Sequence, residues 1–322
     1  MIVVEARASS ILYNLLRSLG HDRPFLLPAN VCPVVPLTFL KARRRFRFVD
    51  IGGGDLAIDQ ARCLALAGSA PEAVGGIVFV HSYGAEVDVA SFFHALKAWQ
   101  PDLLVIDDRC LCRPEPDGLR LAAGADVTLY STGRAKHVDL GFGGFAHIEK
   151  HVAYRRQGSP YSESVLADVT RRYTAAVASE RAFNVGDEAW LDLAPPAVAW
   201  DDLRQRVLDG LVEADAHKQR LNAIYTRTLP AEIQMTPRFQ HWRFNLLVPE
   251  ADHLVARLSA EGLFASRHYA PLGRVFGDED FPEARRLHDR VVNLFNDRSY
   301  DEGRAHRTAR IVTAHLLAPR RR

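Results

Sequence analysis

The chain has 322 residues, of which 48% are hydrophobic and 25% are charged, a composition typical of globular proteins. Its 41 basic and 39 acidic residues leave a net charge of +2, a balance that argues against a nucleic-acid or membrane-surface partner. No basic segment leads into an apolar run at the amino terminus, and no stretch approaches the ~18 uninterrupted apolar residues of a membrane helix. We therefore expect a cytoplasmic protein. The four cysteines show neither a disulfide framework nor paired zinc-binding spacing, so we expect no metal.

The first 150 residues alternate between helical and strand patterns. Apolar periodicity predicts helices at 9–19, 31–40 and 90–99, and strands at 25–28, 45–50, 76–81, 102–107, 126–131 and 143–148. Strands separated by helices predict an α/β sheet with crossover connections, whose ligands bind at the carboxyl ends of the strands. Polar residues end three of the apolar runs in positions suited to that edge: His81 ends one, Asp107 and Asp108 end the second, and Ser131 ends the third.

The pattern weakens between residues 159 and 196 and resumes in a smaller unit. A long charged helix is predicted at 198–229, followed by strands at 243–248, 262–266 and 291–295 and helices at 251–261 and 301–317. We predict a large domain, residues 1–200, and a linking helix with a small α/β domain, residues 201–322.

One segment predicts the chemistry. Lys136 follows Ser131 by five residues, and a G-x-G-G sequence begins at Gly141, five residues after the lysine. This spacing puts a hydroxyl and a primary amine on one turn, before a glycine-rich strand start that lets another molecule approach the backbone. A lysine in this setting is typical of the Schiff-base nucleophile that binds pyridoxal 5'-phosphate (PLP), with the serine reaching the phosphate.

Two further elements provide what PLP requires. Asp108 follows a buried run and precedes the lysine, so it is a candidate partner for the pyridine nitrogen; the alternative is a strand-end aspartate that caps a helix. Ser9 and Ser10 open the first predicted helix, where free N–H groups and the helix dipole favour a phosphate. A serine at that position can also serve as a simple N-cap.

Read together, these residues resemble the DegT/StrS-type (DegT/DnrJ/StrS) sugar aminotransferases, which are fold-type I PLP enzymes. The segment 131–144 matches "S-F-x-x-x-K-x-L-x-x-G-x-G-G" at every fixed position except Thr132 and Val138. Other segments resemble further family elements in the same order along the chain: 8–12, 28–32, 48–50, 56–59, 80–84 ("V-H-x-Y-G"), 105–108 ("V-I-E-D") and 262–272 ("G-I … H-Y-x-P-L").

The resemblance implies a three-layer, aspartate aminotransferase-like large domain and a smaller carboxy-terminal α/β domain. It implies transfer of an amino group, from glutamate, to a keto-sugar or similar small carbonyl compound in glycan or secondary-metabolite biosynthesis. The acceptor in the family is often nucleotide-linked, and members form homodimers with the site at the subunit interface. Lys136 would be catalytic and form the Schiff base, and the implied cofactor-binding residues are Ser9, Ser10, Cys32, Asp108, Ser131 and Lys136 itself.

The chain departs from the family pattern near the cofactor ring. Leu111 stands where the family has a glutamine or histidine, Cys32 stands where an aromatic side chain stacks on the ring, and the chain begins only seven residues before the Ala8–Leu12 element. The residues considered for substrate contact are His81, Tyr83, His268 and Tyr269, and His81 has a structural role as its alternative.

Two other functions are kept open. One is a PLP enzyme that eliminates or decarboxylates; in the family's dehydratase branch a histidine replaces the lysine, so Lys136 argues against that branch. The other is a non-catalytic family member that acts as a partner or regulatory subunit.

Overall fold

The computed structural model describes residues 1–70, 73–118, 121–277 and 279–318. Its larger part is an α/β unit of seven strands and their connecting helices. In chain order these are β1 (Ile2–Glu5), α1 (Ala8–Ser18), β2 (Phe25–Pro28), α2 (Val34–Lys41), β3 (Phe46–Val49), α3 (Gln60–Gly68), β4 (Gly76–Val80), α4 (Ala90–Trp99), β5 (Leu104–Asp108), β6 (Val127–Ser131) and β7 (Gly144–Ile148).

These strands form one sheet in the order β1-β7-β6-β5-β4-β2-β3. Strand β7 runs antiparallel to both of its neighbours, and the remaining pairs are parallel. The connection between β6 and β7 is the loop 132–143, which contains no helix and turns the chain back beside β6. That loop carries Lys136.

The sheet is covered on both faces. Successive residues of β4 point to opposite sides, so that Val78 packs with Ile11 and Leu15 of α1, and Ile77 packs with Phe93 of α4. Both layers are buried, as expected of a mainly parallel sheet. The three-layer α/β architecture predicted from the sequence is confirmed.

The rest of the chain forms a smaller unit around a three-stranded antiparallel sheet in the order β8-β10-β9. Within the described ranges, its elements and those leading to it are α5 (Glu163–Ala178), α6 (Trp200–Thr228), β8 (Phe244–Leu247), α7 (Ala251–Ala260), β9 (Ala265–Ser266), α8 (Gly273–Phe276), α9 (Pro282–His288), β10 (Val291–Leu294) and α10 (Glu302–Leu317). None of the described helices is both long enough and apolar enough to cross a membrane.

Helix α6 belongs to both units. Leu203 and Val207, in its first half, pack against Phe145 of the large sheet. Leu221 and Tyr225, in its second half, pack into the core of the small unit. The division at residue 200 therefore remains a prediction, since the helix that begins there contributes to both cores.

The predicted elements differ from the observed ones where burial is sparse. Helices α3 and α5 were not predicted because each buries only two side chains, Cys63 and Ala67 in α3 and Val169 and Ala176 in α5. Strand β1 and helix α9 are too short to show a clear period, and the strand predicted at 262–266 forms only at its last two residues. Asp108, predicted to follow a strand, is the last residue of β5.

Helix α1 begins in close contact with strand β7. A methyl group added at Gly144 would clash with the backbone nitrogen of Ala8 and would lie 2.6 Å from the carbonyl carbon of Arg7. Both obstacles are backbone atoms, which cannot rotate away. Gly144 therefore sets how closely the start of α1 approaches the sheet.

We predict that Gly144→Ala destabilises the protein by about 1–3 kcal/mol, because relief of the clash requires the start of α1 to shift. Urea denaturation at neutral pH measures the change. Gly158→Ala is the matched control, since a methyl group there meets no atom within 4 Å. Equal stabilities of the two variants would contradict the proposed packing constraint.

Candidate functional site

The loop that carries Lys136 is held by its own polar groups. The Thr132 N–H donates to the Gly143 carbonyl at 3.0 Å, which closes the loop at its base. The Asp139 carboxylate accepts the Ala135 N–H at 2.8 Å and a further loop N–H, that of residue 141, at 2.9 Å. Ala135 has a positive φ of 60°, so the residue directly before Lys136 lies in the left-handed region. These constraints define the backbone from which the lysine side chain extends.

A second anchor comes from the small unit. Trp242 is 3% exposed, and its Nε1–H donates to the carbonyl of Ala135 at 2.7 Å. The carbonyl of Trp242 in turn accepts from the buried Nζ of Lys218 at 2.8 Å, and its ring lies 5.4 Å from that of His268. The lysine loop is therefore tied to residues more than 80 positions away in the sequence.

Asp108 lies within electrostatic reach of Lys136. It is buried at the end of β5, and its Oδ1 accepts the Cys110 N–H at 2.9 Å. Burial raises the pKa of the Asp108 carboxyl, and this effect exceeds the opposing influence of Cys110 and of the positive charge on Lys136. The structure thus brings together an amine and a buried carboxylate, the two groups that the sequence predicts for a PLP site.

Four more predicted residues gather in the region of Asp108. Burial raises the pKa of Tyr269, and its neighbours Cys32 and Asp108 raise it further. The hydroxyl of Tyr83 donates to the carbonyl of His268 at 2.7 Å. Cys32, Tyr83, His268 and Tyr269 therefore lie in one region with Asp108.

His81 belongs to a separate, buried hydrogen-bond network around Asp107. Its ring is fully buried, with Nε2 2.8 Å from Oδ1 of Asp107 and Nδ1 3.1 Å from the carbonyl of Ala85. Arg109 donates to the other carboxylate oxygen of Asp107 at 2.7 Å. Burial acts to raise the pKa of Asp107, but His81 and Arg109 outweigh it and hold the pKa below its ordinary value. Both ring nitrogens of His81 are occupied by this network.

The residues predicted for phosphate divide into two groups. The Ser131 Oγ accepts the Gly133 N–H at 3.3 Å. Ser131 ends β6 and pairs with Gly144, which lies against the start of α1, where Ser9 is found. Ser10 is buried, and its hydroxyl donates to the carbonyl of Asp192 at 2.6 Å. The structure does not direct the Ser10 side chain towards Ser131.

Leu111 is part of the core, 5% exposed and packed in one cluster with Tyr83 and Trp242. The departure from the family pattern at this position therefore replaces a polar group with an apolar contact between the two units.

Sequence reasoning missed a cavity of about 60 Å³ beside the lysine. Its walls include Lys136, His137 and Lys218. Burial, together with the charge of Arg243, lowers the pKa of Lys218 to about 7. Burial also lowers the pKa of His137 to about 4. In sequence, Lys218 is one of many charged positions on a long helix, so no local signal marked it as buried.

Solved structures share this fold over nearly the whole chain. They include PseC from Helicobacter pylori, an aminotransferase involved in the biosynthesis of pseudoaminic acid (15% identity, TM-score 0.67, 97% of this chain and 86% of that one). A DegT DnrJ EryC1 StrS aminotransferase from Brucella abortus matches with 16% identity and a TM-score of 0.66, over 98% of this chain and 86% of that one. Spr1654 from Streptococcus pneumoniae, in its PLP form, matches with 14% identity and a TM-score of 0.66 over 98% and 88%.

No protein-family model matches the sequence, and no curated protein matches it significantly. At identities of 14–16% the structural likeness establishes the fold. It confirms the predicted aspartate aminotransferase-like architecture, and function has to be argued from the site.

We predict that Asp107→Asn destabilises the protein by about 3 kcal/mol or more at pH 7, because it leaves the Arg109 guanidinium without its buried counter-charge and disturbs the hydrogen bond to His81. The folded-state pKa of Asp107 is lowered, so its contribution is present above the unfolded pKa of ~3.9 and is lost as pH falls through the folded value. The stability gap between wild type and variant should therefore narrow at acid pH.

Urea denaturation at pH 7 and at pH 3 measures that gap. Asp102→Asn is the control, since the Asp102 side chain is 67% exposed in its pair with Arg23 and should change stability by at most about 1 kcal/mol. If the difference in unfolding free energy between wild type and Asp107→Asn is the same at both pH values, the charge of Asp107 does not stabilise the fold.

Proposed function

We propose that the chain is a PLP-dependent aminotransferase of the DegT/StrS type. It transfers an amino group, with glutamate as donor, to a keto-sugar or similar small carbonyl compound in glycan or secondary-metabolite biosynthesis. The observation that carries the proposal is the position of Lys136, on the loop that follows β6, within electrostatic reach of Asp108, which is buried at the end of the neighbouring strand β5 at the carboxyl edge of the sheet. The shared fold of the aminotransferases named above supports it.

The groups at this edge match what PLP would require. PLP, when bound, supplies an aldehyde that captures amines and a ring that accepts the electron pair of a breaking bond. The Nζ of Lys136 would hold the aldehyde carbon. Asp108 is a buried carboxylate with a raised pKa, so a protonated ring nitrogen would give it a favourable counter-charge.

Lys136 would also move the proton. With PLP bound, its Nζ would be the base that moves the proton at Cα of the amino donor. The ring of His268 lies near this amine and is neutral at physiological pH, because burial lowers its pKa to about 4, with Arg243 and Lys136 adding to the effect. His268 therefore adds no positive charge that would oppose protonation of the lysine.

The tyrosines beside Asp108 would shape the substrate entrance. Tyr83 and Tyr269 both have pKa values raised by burial, so their phenols stay protonated. The Tyr83 hydroxyl already donates to the His268 carbonyl, so Tyr269 is the phenol of the two that would donate to a ligand. Cys32 gives the ring a smaller contact than the aromatic side chain of the family, and Tyr269 lies next to it.

The remaining proposals rest on the resemblance. We propose a homodimer with the site at the subunit interface, a nucleotide-linked sugar as acceptor and a cytoplasmic location. The division into a PLP-binding domain, residues 1–200, and a carboxy-terminal domain, residues 201–322, is proposed on the two separate hydrophobic cores, with α6 contributing to both.

Purified protein with PLP should show the visible absorbance band of a lysine–PLP Schiff base, and Lys136→Ala should abolish it. Borohydride reduction followed by peptide mass spectrometry should locate the cofactor on Lys136. Lys150→Ala, at an exposed position, is the control and should keep the band. If the wild type shows no band and borohydride traps no cofactor, every PLP-dependent function is excluded, and the non-catalytic partner or regulatory subunit remains.

Glutamate should convert the band of the wild type to that of the pyridoxamine form. Asp108→Asn should keep Lys136 modified but slow this conversion by roughly 10²–10³-fold, because the ring nitrogen loses its negative partner. Stopped-flow absorbance measures the rate, with exposed Asp209→Asn as the control. Loss of the band with glutamate, without formation of the pyridoxamine species, would favour elimination or decarboxylation.

A further inference from the structure

We propose that Arg7 binds the phosphate of the cofactor, in an anion site that it forms with Ser131 and the first turn of α1. This inference rests on the proposed PLP function and adds to it a residue outside the matched family element, which begins at Ala8.

The backbone of Arg7 is fixed where strand β1 passes into helix α1. Arg7 is extended, with φ −146° and ψ 153°, and it forms a parallel bridge with Gly143. The Gly143 N–H also donates to the Ala6 carbonyl at 2.8 Å. These contacts hold the side chain of Arg7 against the loop that carries Lys136.

The guanidinium reaches the turn that follows β6. Its Nη1 donates to the carbonyl of Gly141 at 2.9 Å. A methyl group built on Gly133 would lie 3.5 Å from Nη1 of Arg7 and 3.5 Å from Oγ of Ser131. The guanidinium and the hydroxyl therefore face the same space beside Gly133.

The positive charge of Arg7 has no carboxylate within 4.0 Å among the residues that the structure describes. Asp139, the acid in the adjoining loop, accepts backbone N–H groups with both of its oxygens. Glu5, the nearest acid in the sequence, is paired with Arg156 at 2.7 Å. Arg7 is half-buried and uses one of its five N–H donors on Gly141, so an anion with several oxygens would satisfy the others.

The helix start beside Arg7 favours the same charge. Helix α1 has eleven residues, no side-chain cap and no acidic residue in its first turn. The Ser10 N–H is hydrogen-bonded to the Arg7 carbonyl at 3.1 Å, so the helix dipole and the N–H of Ser9 are what the helix start offers to an anion. Because the Ser10 hydroxyl is bonded to Asp192, the side-chain donors for a phosphate would come from Ser9, Ser131 and Arg7.

The test compares PLP with pyridoxal, which has the same aldehyde and ring but no phosphate. Titration of the apoprotein, followed by the visible band, gives the dissociation constant for each. In Arg7→Gln we expect PLP to bind about 10- to 100-fold more weakly, the loss of one charge-assisted contact, and pyridoxal to bind within about twofold of wild type. Arg7→Lys, which keeps the charge, should recover part of the PLP affinity.

Arg134→Gln is the matched control. Arg134 lies in the same loop, two residues before Lys136, and its side chain is exposed, so this change tests whether any nearby positive charge has the same effect. We expect no change in either dissociation constant. Unchanged PLP affinity in Arg7→Gln would overturn the proposal, as would an equal loss for PLP and pyridoxal, which would show that Arg7 only positions the loop through Gly141.

Failure of the proposed function is recognised separately. If the wild type forms no band with PLP or pyridoxal, the PLP function fails, and binding of inorganic phosphate, measured by calorimetry, then decides about Arg7. Phosphate binding that Arg7→Gln weakens at least tenfold supports the anion site. If phosphate does not bind, or binds the wild type and Arg7→Gln equally, the anion site at Arg7 is overturned.

Discussion

The position of Lys136 within electrostatic reach of the buried carboxylate of Asp108 depends on one feature of the chain path. Strand β7 returns antiparallel beside β6, so the connection between them is a short loop at the carboxyl edge of the sheet. Asp108 ends the next strand at the same edge, two positions along the sheet from β7. A longer connection would give the lysine more freedom, and charge pairing in the interior requires well-defined geometry.

Asp107 and Asp108 are adjacent on β5 but differ in their surroundings, because their side chains lie on opposite faces of the sheet. Asp107 and Asp108 are both buried, yet the pKa of the first is lowered and that of the second is raised. Side chains alternate across a strand, so Asp107 meets His81 and Arg109 on one face and Asp108 meets the lysine region on the other. Asp107, paired with Arg109 and hydrogen-bonded to His81, stabilises the fold, whereas Asp108, whose positive neighbour Lys136 is more distant, remains available to a ligand.

The two units of the chain meet at the lysine. The indole N–H of Trp242, in the small unit, donates a hydrogen bond to the carbonyl of Ala135, the residue before Lys136. Helix α6 contributes side chains to the core of each unit. The buried amine of Lys218 supports Trp242 and borders the cavity next to Lys136. A shift of the small unit would therefore move the lysine loop directly, which links domain arrangement to the position of the proposed nucleophile.

The sequence by itself determined the alternating α/β architecture, most strand positions and the order of Ser9, Asp108, Ser131 and Lys136, because each depends on local periodicity or fixed spacing. It did not reveal helices α3 and α5, whose few buried residues leave no period, or the long-range contacts of Ser10, His81 and Lys218. Only the tertiary structure decided that the Ser10 hydroxyl is hydrogen-bonded to the Asp192 carbonyl and the His81 ring to the Asp107 carboxylate. It also decided that the Arg7 guanidinium and the Ser131 hydroxyl face the same space. Burial and pairing of a polar side chain depend on distant segments, and spacing along the chain carries no information about them.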